Sequence, residues 1–136
     1  MQESFNIVFT NGCYDILHPG HIKLLNYAAS LGDKLIVALD SDRRVKENKS
    51  KNRPINSLED RIFMMKAIKN VDFVHSFDSD EELRKLLKAY SPTYLVIGSD
   101  YKDKPVVGSD LVKEIKYFER LDGYSTTKTI ENITDR

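Results

Sequence analysis

Two short runs rich in branched apolar residues, Phe5 to Phe9 and Lys34 to Asp40, enclose a stretch of a different character. In "HIKLLNYAASLG", Leu24, Ala28 and Leu31 recur at helical spacing, Leu25 lies beside them, and Gly32 is placed to end the helix. "KLIVALD" is too short and too branched for a helix and reads as a strand buried on both faces. Strand, helix and strand within roughly 40 residues form a βαβ unit. Such a unit demands parallel strands and a right-handed crossover.

The rest of the chain extends the pattern. Residues Ser41 to Asn56 show no apolar periodicity, contain Pro54, and carry Arg43, Arg44, Lys46, Lys49, Lys51 and Arg53; they read as a mobile basic loop. Ser57-Leu-Glu-Asp60 has the form of a capping box opening a helix to about Lys69. "VDFVHSF" reads as a third strand, with His75 structural, and Ser79 to Tyr90 as an amphipathic helix with an acidic start. "TYLVIGSD" is a fourth strand. Between Ser109 and Glu119 the pattern allows one helix, or a short helix to Glu114 followed by the strand "IKYFERL". The second is preferred, because a fifth strand lets the last segment cross back over the sheet. That segment starts at Ser125-Thr126-Thr127 and reads as a capped helix. The expected fold is α/β: one Rossmann-like domain over residues 1–136, a doubly wound sheet of about five parallel strands with helices on both faces. Ligands in such sheets sit beyond the carboxyl ends of the strands.

Charge balance limits the partners. Lysine plus arginine and aspartate plus glutamate number 21 each, which argues against a general nucleic-acid binder. No apolar run approaches the ~18 residues of a membrane span. "MQESFNIVF" lacks the basic start and apolar stretch of a signal peptide. With Cys13 as the single cysteine, no internal disulfide can form. A soluble, cytoplasmic protein without membrane or nucleic-acid partners is expected.

"TNGCYDILHPGH", Thr10 to His21, holds the chemistry. Gly12 to Pro19 lie just past the first strand, with a helix expected to start near Gly20-His21. Helix starts offer backbone N–H groups and partial positive charge to phosphate. Pro19 suits that opening, and Gly20 leaves room for an anion near the backbone. His18 and His21, three apart, can project to one side of it. Imidazoles suit a reaction in which charge grows on phosphate oxygens, with protonation accessible near neutral pH. Two other readings stand beside this: structural histidines, or a metal pair, though no cysteine or carboxylate cluster completes a ligand set.

"GCYDILHPGH" resembles the His-x-Gly-His signature of the small nucleotidyltransferase superfamily, usually Gly-x-Phe-Asp-x-x-His-x-Gly-His, with Tyr14 in place of phenylalanine. "NRPINSLEDR" resembles the segment after the mobile loop in these enzymes, and "GYSTT" their second signature at the last helix. "FTNGCYDILHPGH", "RPINSLEDR" and "GSDYKDKPVVGSD" most resemble adenylyltransferases acting on a heptose 1-phosphate. "RLDGYSTT" is also similar to glycerol-3-phosphate cytidylyltransferases.

The resemblance implies direct attack of a substrate phosphate on the α-phosphorus of ATP or CTP, with pyrophosphate leaving. It implies catalytic roles for His18, His21, Arg120 and a loop lysine, Lys46 or Lys49. It implies nucleotide contacts at Thr10, Asn11, Gly12, Cys13, Tyr14, Gly20, Lys49, Gly98, Asp100, Ser125, Thr126 and Thr127. Asp40 and Arg61 would face the acceptor, Arg61 having a helix-surface ion pair as its alternative reading, and Asp15 would brace its own loop. Mg²⁺ is expected as cofactor with no dedicated protein metal ligands, a phosphorylated sugar or polyol as acceptor, and a homodimer as assembly. A nucleotide-binding module without catalysis is the non-enzyme alternative.

Overall fold

The computed structural model describes residues 5–119 and 126–134. Five parallel strands, β1 (Ile7–Gly12), β2 (Lys34–Asp40), β3 (Phe73–Phe77), β4 (Tyr94–Gly98) and β5 (Glu114–Phe118), form one sheet in the order β3-β2-β1-β4-β5. The chain leaves β1 toward β2 on one side and later returns to place β4 on the other. The sheet order therefore reverses at β1, and a crevice opens between the carboxyl ends of β1 and β4.

Alternation along the central strands divides the core. Val8, Leu35, Val37, Leu39 and Val96 face α1 (Pro19–Ser30) and α3 (Leu58–Lys66), where they meet Leu25, Ala28 and Met65. Phe9, Ile36, Ala38, Leu95 and Ile97 face the other way, toward Leu83 and Leu87 of α4 (Asp80–Tyr90). Both faces are covered, which is why β2 reads as an unbroken apolar run. α5 (Thr126–Thr134) closes the described chain. No helix among the described residues is long and apolar enough to cross a membrane.

Two expectations change. Residues Ser41 to Asn56 are not wholly a loop, because α2 (Asp42–Asn48) occupies their first half. Ser41 caps it by accepting the Arg44 N–H, Val45 is its buried residue, and Arg43 pairs with Glu47 and Asp78. Its charges, rather than apolar spacing, mark it as a helix. Gly32 does not end α1 through a left-handed turn; Leu31 ends it in right-handed conformation. A Cβ on Gly32 would lie 2.7 Å from the Asn6 carbonyl oxygen and 2.8 Å from Val8 Cγ2, so glycine is required by close approach to the chain entering β1.

Candidate active site

β1 delivers Cys13 to Leu17 to the carboxyl edge, and the segment is held in an uncommon conformation. Tyr14 and Ile16 have φ of 50° and 54°, a region unfavourable for side chains bearing a Cβ. Surrounding contacts hold them there. The Tyr14 hydroxyl lies 3.0 Å from Thr10 Oγ1 inside the protein, and its ring covers Gly12, where a Cβ would sit 3.2 Å from Tyr14 Cε2. Asp15, between the two left-handed residues, is buried. Its Oδ2 accepts from Ile55 N–H at 2.5 Å, and its Oδ1 accepts from Asn56 N–H at 3.0 Å and Asn56 Nδ2 at 3.1 Å. It pins the segment before α3 to the segment before α1.

His18 caps α1 in extended conformation, so the helix begins at Pro19, beside the expected start near Gly20-His21. The cap is reciprocal. His18 Nδ1 accepts the Gly20 N–H and His21 Nδ1 accepts the His18 N–H, each at 3.1 Å. The two rings stack with centroids 3.9 Å apart, and the Tyr14 ring stands 5.4 Å from that of His21. An Nδ1 that accepts from the backbone carries no proton, so each ring in this arrangement is neutral and bears its N–H on Nε2, the edge turned from the helix backbone. The geometry supplies two neutral, oriented donors; protonation would break the caps.

Beside this pair lies a cleft of about 430 Å³. One wall is Thr10 to Tyr14. Asp40, Arg44, Val45, Asn48 and Lys49 form a second, and Gly98, Tyr101 and Val106 belong to a third. Arg44 is fixed across β2 and α4: it donates to Asp40 at 3.0 Å and Asp80 at 3.1 Å and lies 5.1 Å over the Phe77 ring. Burial pushes the Cys13 thiol up, and although Arg61 opposes this, Asp15 and Asp40 reinforce it. At neutral pH the thiol keeps its proton and is no nucleophile.

The expected site residues divide by place. Thr10, Asn11, Gly12, Cys13, Tyr14, Asp40, Lys49 and Gly98 line the cleft. His18, Gly20 and His21 form the start of α1, joined to the cleft through Tyr14. Lys46 is exposed on α2 and is not among the lining residues, whereas Lys49 is. Thr127 lies in the first turn of α5, where Thr126 begins the helix, and Asp100 lies in the short turn after β4. Arg120 and Ser125 fall outside the described residues.

Arg61 is neither at the cleft wall nor on the surface. It is 2% exposed, and all three guanidinium nitrogens donate to protein oxygens: Nε to the Asn56 carbonyl, Nη1 to the carbonyls of Cys13 and Asp40, and Nη2 to the Asp42 carboxylate at 2.7 Å. The arginine thus ties the ends of β1 and β2 to α2 and α3. Arg44 and Asn48 escaped the sequence reading with α2 itself; their spacing of four on a Ser41-capped segment was the available signal.

Comparison with known proteins gives the same architecture a family. The Cytidylyltransferase-like family profile matches residues 9–132. Bifunctional protein HldE of Campylobacter fetus subsp. fetus (strain 82-40) is 52% identical over 127 residues, 93% of this chain and 28% of that protein. HldE of Campylobacter jejuni subsp. doylei is 50% identical over 135 residues, 99% of this chain and 29% of that protein. The chain therefore spans less than a third of the length of these relatives. A lipopolysaccharide core biosynthesis protein from Thermoplasma volcanium GSS1 superposes with a TM-score of 0.72 at 25% identity, covering 88% of this chain and 100% of that one. The pantoate-beta-alanine ligase of Francisella tularensis, at TM-score 0.60 and 17% identity over 100% of this chain and 72% of its own, shares the fold. The chain belongs to the cytidylyltransferase-like family of nucleotidyltransferases.

Proposed function

We propose that the chain transfers a nucleoside monophosphate from ATP to a sugar 1-phosphate, D-glycero-β-D-manno-heptose 1-phosphate by its resemblances, and releases pyrophosphate. The observation that carries this reading is the stacked pair His18 and His21, whose Nδ1 atoms are tied to the backbone and whose N–H donors lie on Nε2. Identity near 50% to HldE proteins over nearly the whole chain supports the acceptor.

The acceptor phosphate supplies the nucleophile, so the protein contributes position and charge. His18 and His21 donate to α- and β-phosphate oxygens as charge grows on them. Lys49, at the cleft wall, is the loop cation in preference to Lys46. Thr10 to Tyr14 and Gly20 present backbone to the phosphates, Gly98 and Asp100 take the base and ribose, and Asp40 faces the acceptor. Arg120 and Ser125 to Thr127 form the second phosphate site. Arg61 serves the acceptor indirectly, by holding the Cys13 and Asp40 carbonyls in place.

No group of three or more His, Cys, Asp or Glu able to hold a metal occurs among the described residues. In this reading Mg²⁺ arrives on the triphosphate, held by phosphate oxygens and water, and neutralises the chain of charges. The same reading carries a cytoplasmic homodimer.

A pyrophosphate-release screen crossing ATP and CTP with heptose 1-phosphate and glycerol 3-phosphate tests the proposal. Turnover with ATP and the heptose is expected. Turnover only with CTP and glycerol 3-phosphate would move the substrate assignment, and nucleotide binding without turnover in any pairing would leave a binding module.

A further inference from the structure

Among the described residues two arginines are buried, and those residues fully answer only one of them. Arg61 meets acceptors at every nitrogen, as described above. Arg53, 8% exposed, has one side-chain hydrogen bond among the described residues, from Nη1 to Thr127 Oγ1 at 3.3 Å. Its Nε is buried with no acceptor, and none of the ion pairs among the described residues includes it. A buried cation without a counter-ion is costly, and a guanidinium with an unanswered N–H is suited to an oxyanion.

Its position names the anion. Asp15, three residues before His18, holds the backbone of Ile55 and Asn56 and so brings Arg53's segment to the histidine loop. At its far end the guanidinium reaches the first turn of α5, a helix of nine residues whose starting N–H groups favour negative charge. Arg53 thus stands between the histidine loop and the first turn of α5, 74 residues from Thr127 on the chain.

We propose that Arg53 is a phosphate ligand: its Nε and Nη groups take an oxyanion of a polyphosphate chain seated at the start of α5, which supplies the counter-ion that the described residues do not. Within the function proposed above, that chain is the triphosphate of the nucleotide, and the inference rests on that reading for the identity of its ligand. Closing this contact links the histidine loop to α5 through the substrate itself.

Inorganic tripolyphosphate is the probe, because it carries the phosphates without a base. Thermal shift and calorimetric titration on the full chain compare the unmodified protein with Arg53→Gln and Arg53→Lys. Tripolyphosphate is expected to raise Tm of the unmodified chain, with affinity falling about tenfold or more in Arg53→Gln. Arg53→Lys, which keeps the charge and loses the Nε donor, falls between them, and it carries the test if the glutamine variant does not fold. AMP, which lacks the outer phosphates, should bind all folded variants with similar affinity, an outcome that a merely structural clasp would not separate from the tripolyphosphate result. Tripolyphosphate affinity unchanged in both variants, or no tripolyphosphate binding by the unmodified chain, overturns the proposal. Binding that depends on Arg53 without turnover on any acceptor would sustain the anion site and refute nucleotidyl transfer. Transfer by Arg53→Gln at unchanged nucleotide KM would do the reverse.

Discussion

At the residue scale, two side chains in the β1–α1 segment carry consequences that can be measured. Burial pushes the Tyr14 phenol from an ordinary value of 10.0 up to about 12, with the Thr10 hydrogen bond partly opposing the rise. The folded chain therefore keeps the phenol protonated to higher pH than the unfolded chain does. Its contribution is intact below pH 10 and is lost as pH rises from about 10 to about 12, at up to ~1.4 kcal/mol per pH unit. Urea unfolding at a series of alkaline pH values should show this slope, and Tyr14→Phe should flatten it. Asp15→Ala removes the acceptor of two backbone N–H groups and one amide, and is expected to destabilise by about 3 kcal/mol, read from the urea midpoint. Part of this was legible: Asp15 reads as a brace, and its carboxylate accepts from Ile55 and Asn56. The neutral state of the His18 and His21 rings was not, because it depends on which atom accepts the cap N–H. Nor were the left-handed Tyr14 and Ile16, which tertiary contacts enforce against their own preference.

Elements explain which residues share a wall. α2 is too short to stand alone and is held by Ser41 at its start, by Val45 beneath it and by the Arg43 and Arg44 ion pairs. Ser41→Ala should cost about 1 kcal/mol and speed hydrogen exchange of the α2 amides more than those of α4. The helix turns Lys49 to the cleft and leaves Lys46 out of it. Steady-state kinetics should accordingly show a larger rise in nucleotide KM for Lys49→Ala than for Lys46→Ala; the opposite order would place the loop cation on the wrong residue. Apolar spacing marks α1 and α4, each of which buries an apolar pair, the Ser57 capping box marks α3, and neither signal reaches α2, which buries one residue. Caps and charges at a spacing of four were the legible trace.

For the whole molecule, parallel topology followed from β1, α1 and β2 alone, and β5 from the requirement that the last segment cross back over the sheet. Central strands buried on both faces leave so little freedom that their pattern nearly dictates their place. What the pattern cannot show is contact between distant segments. Gly32 against Asn6, Arg61 across four segments and Arg53 against Thr127 exist only once the chain is folded. These contacts gather the β1 loop, the segment before α3 and the start of α5 at the carboxyl edge, where the two imidazoles stand. The most direct test is a kinetic double-mutant cycle on pyrophosphate release with His18→Ala, His21→Ala and the double variant. Each single change is expected to remove ~2–4 kcal/mol of transition-state stabilisation, with the double variant losing less than the sum because the rings position each other. Turnover by folded single variants at the rate of the unmodified chain would contradict the account.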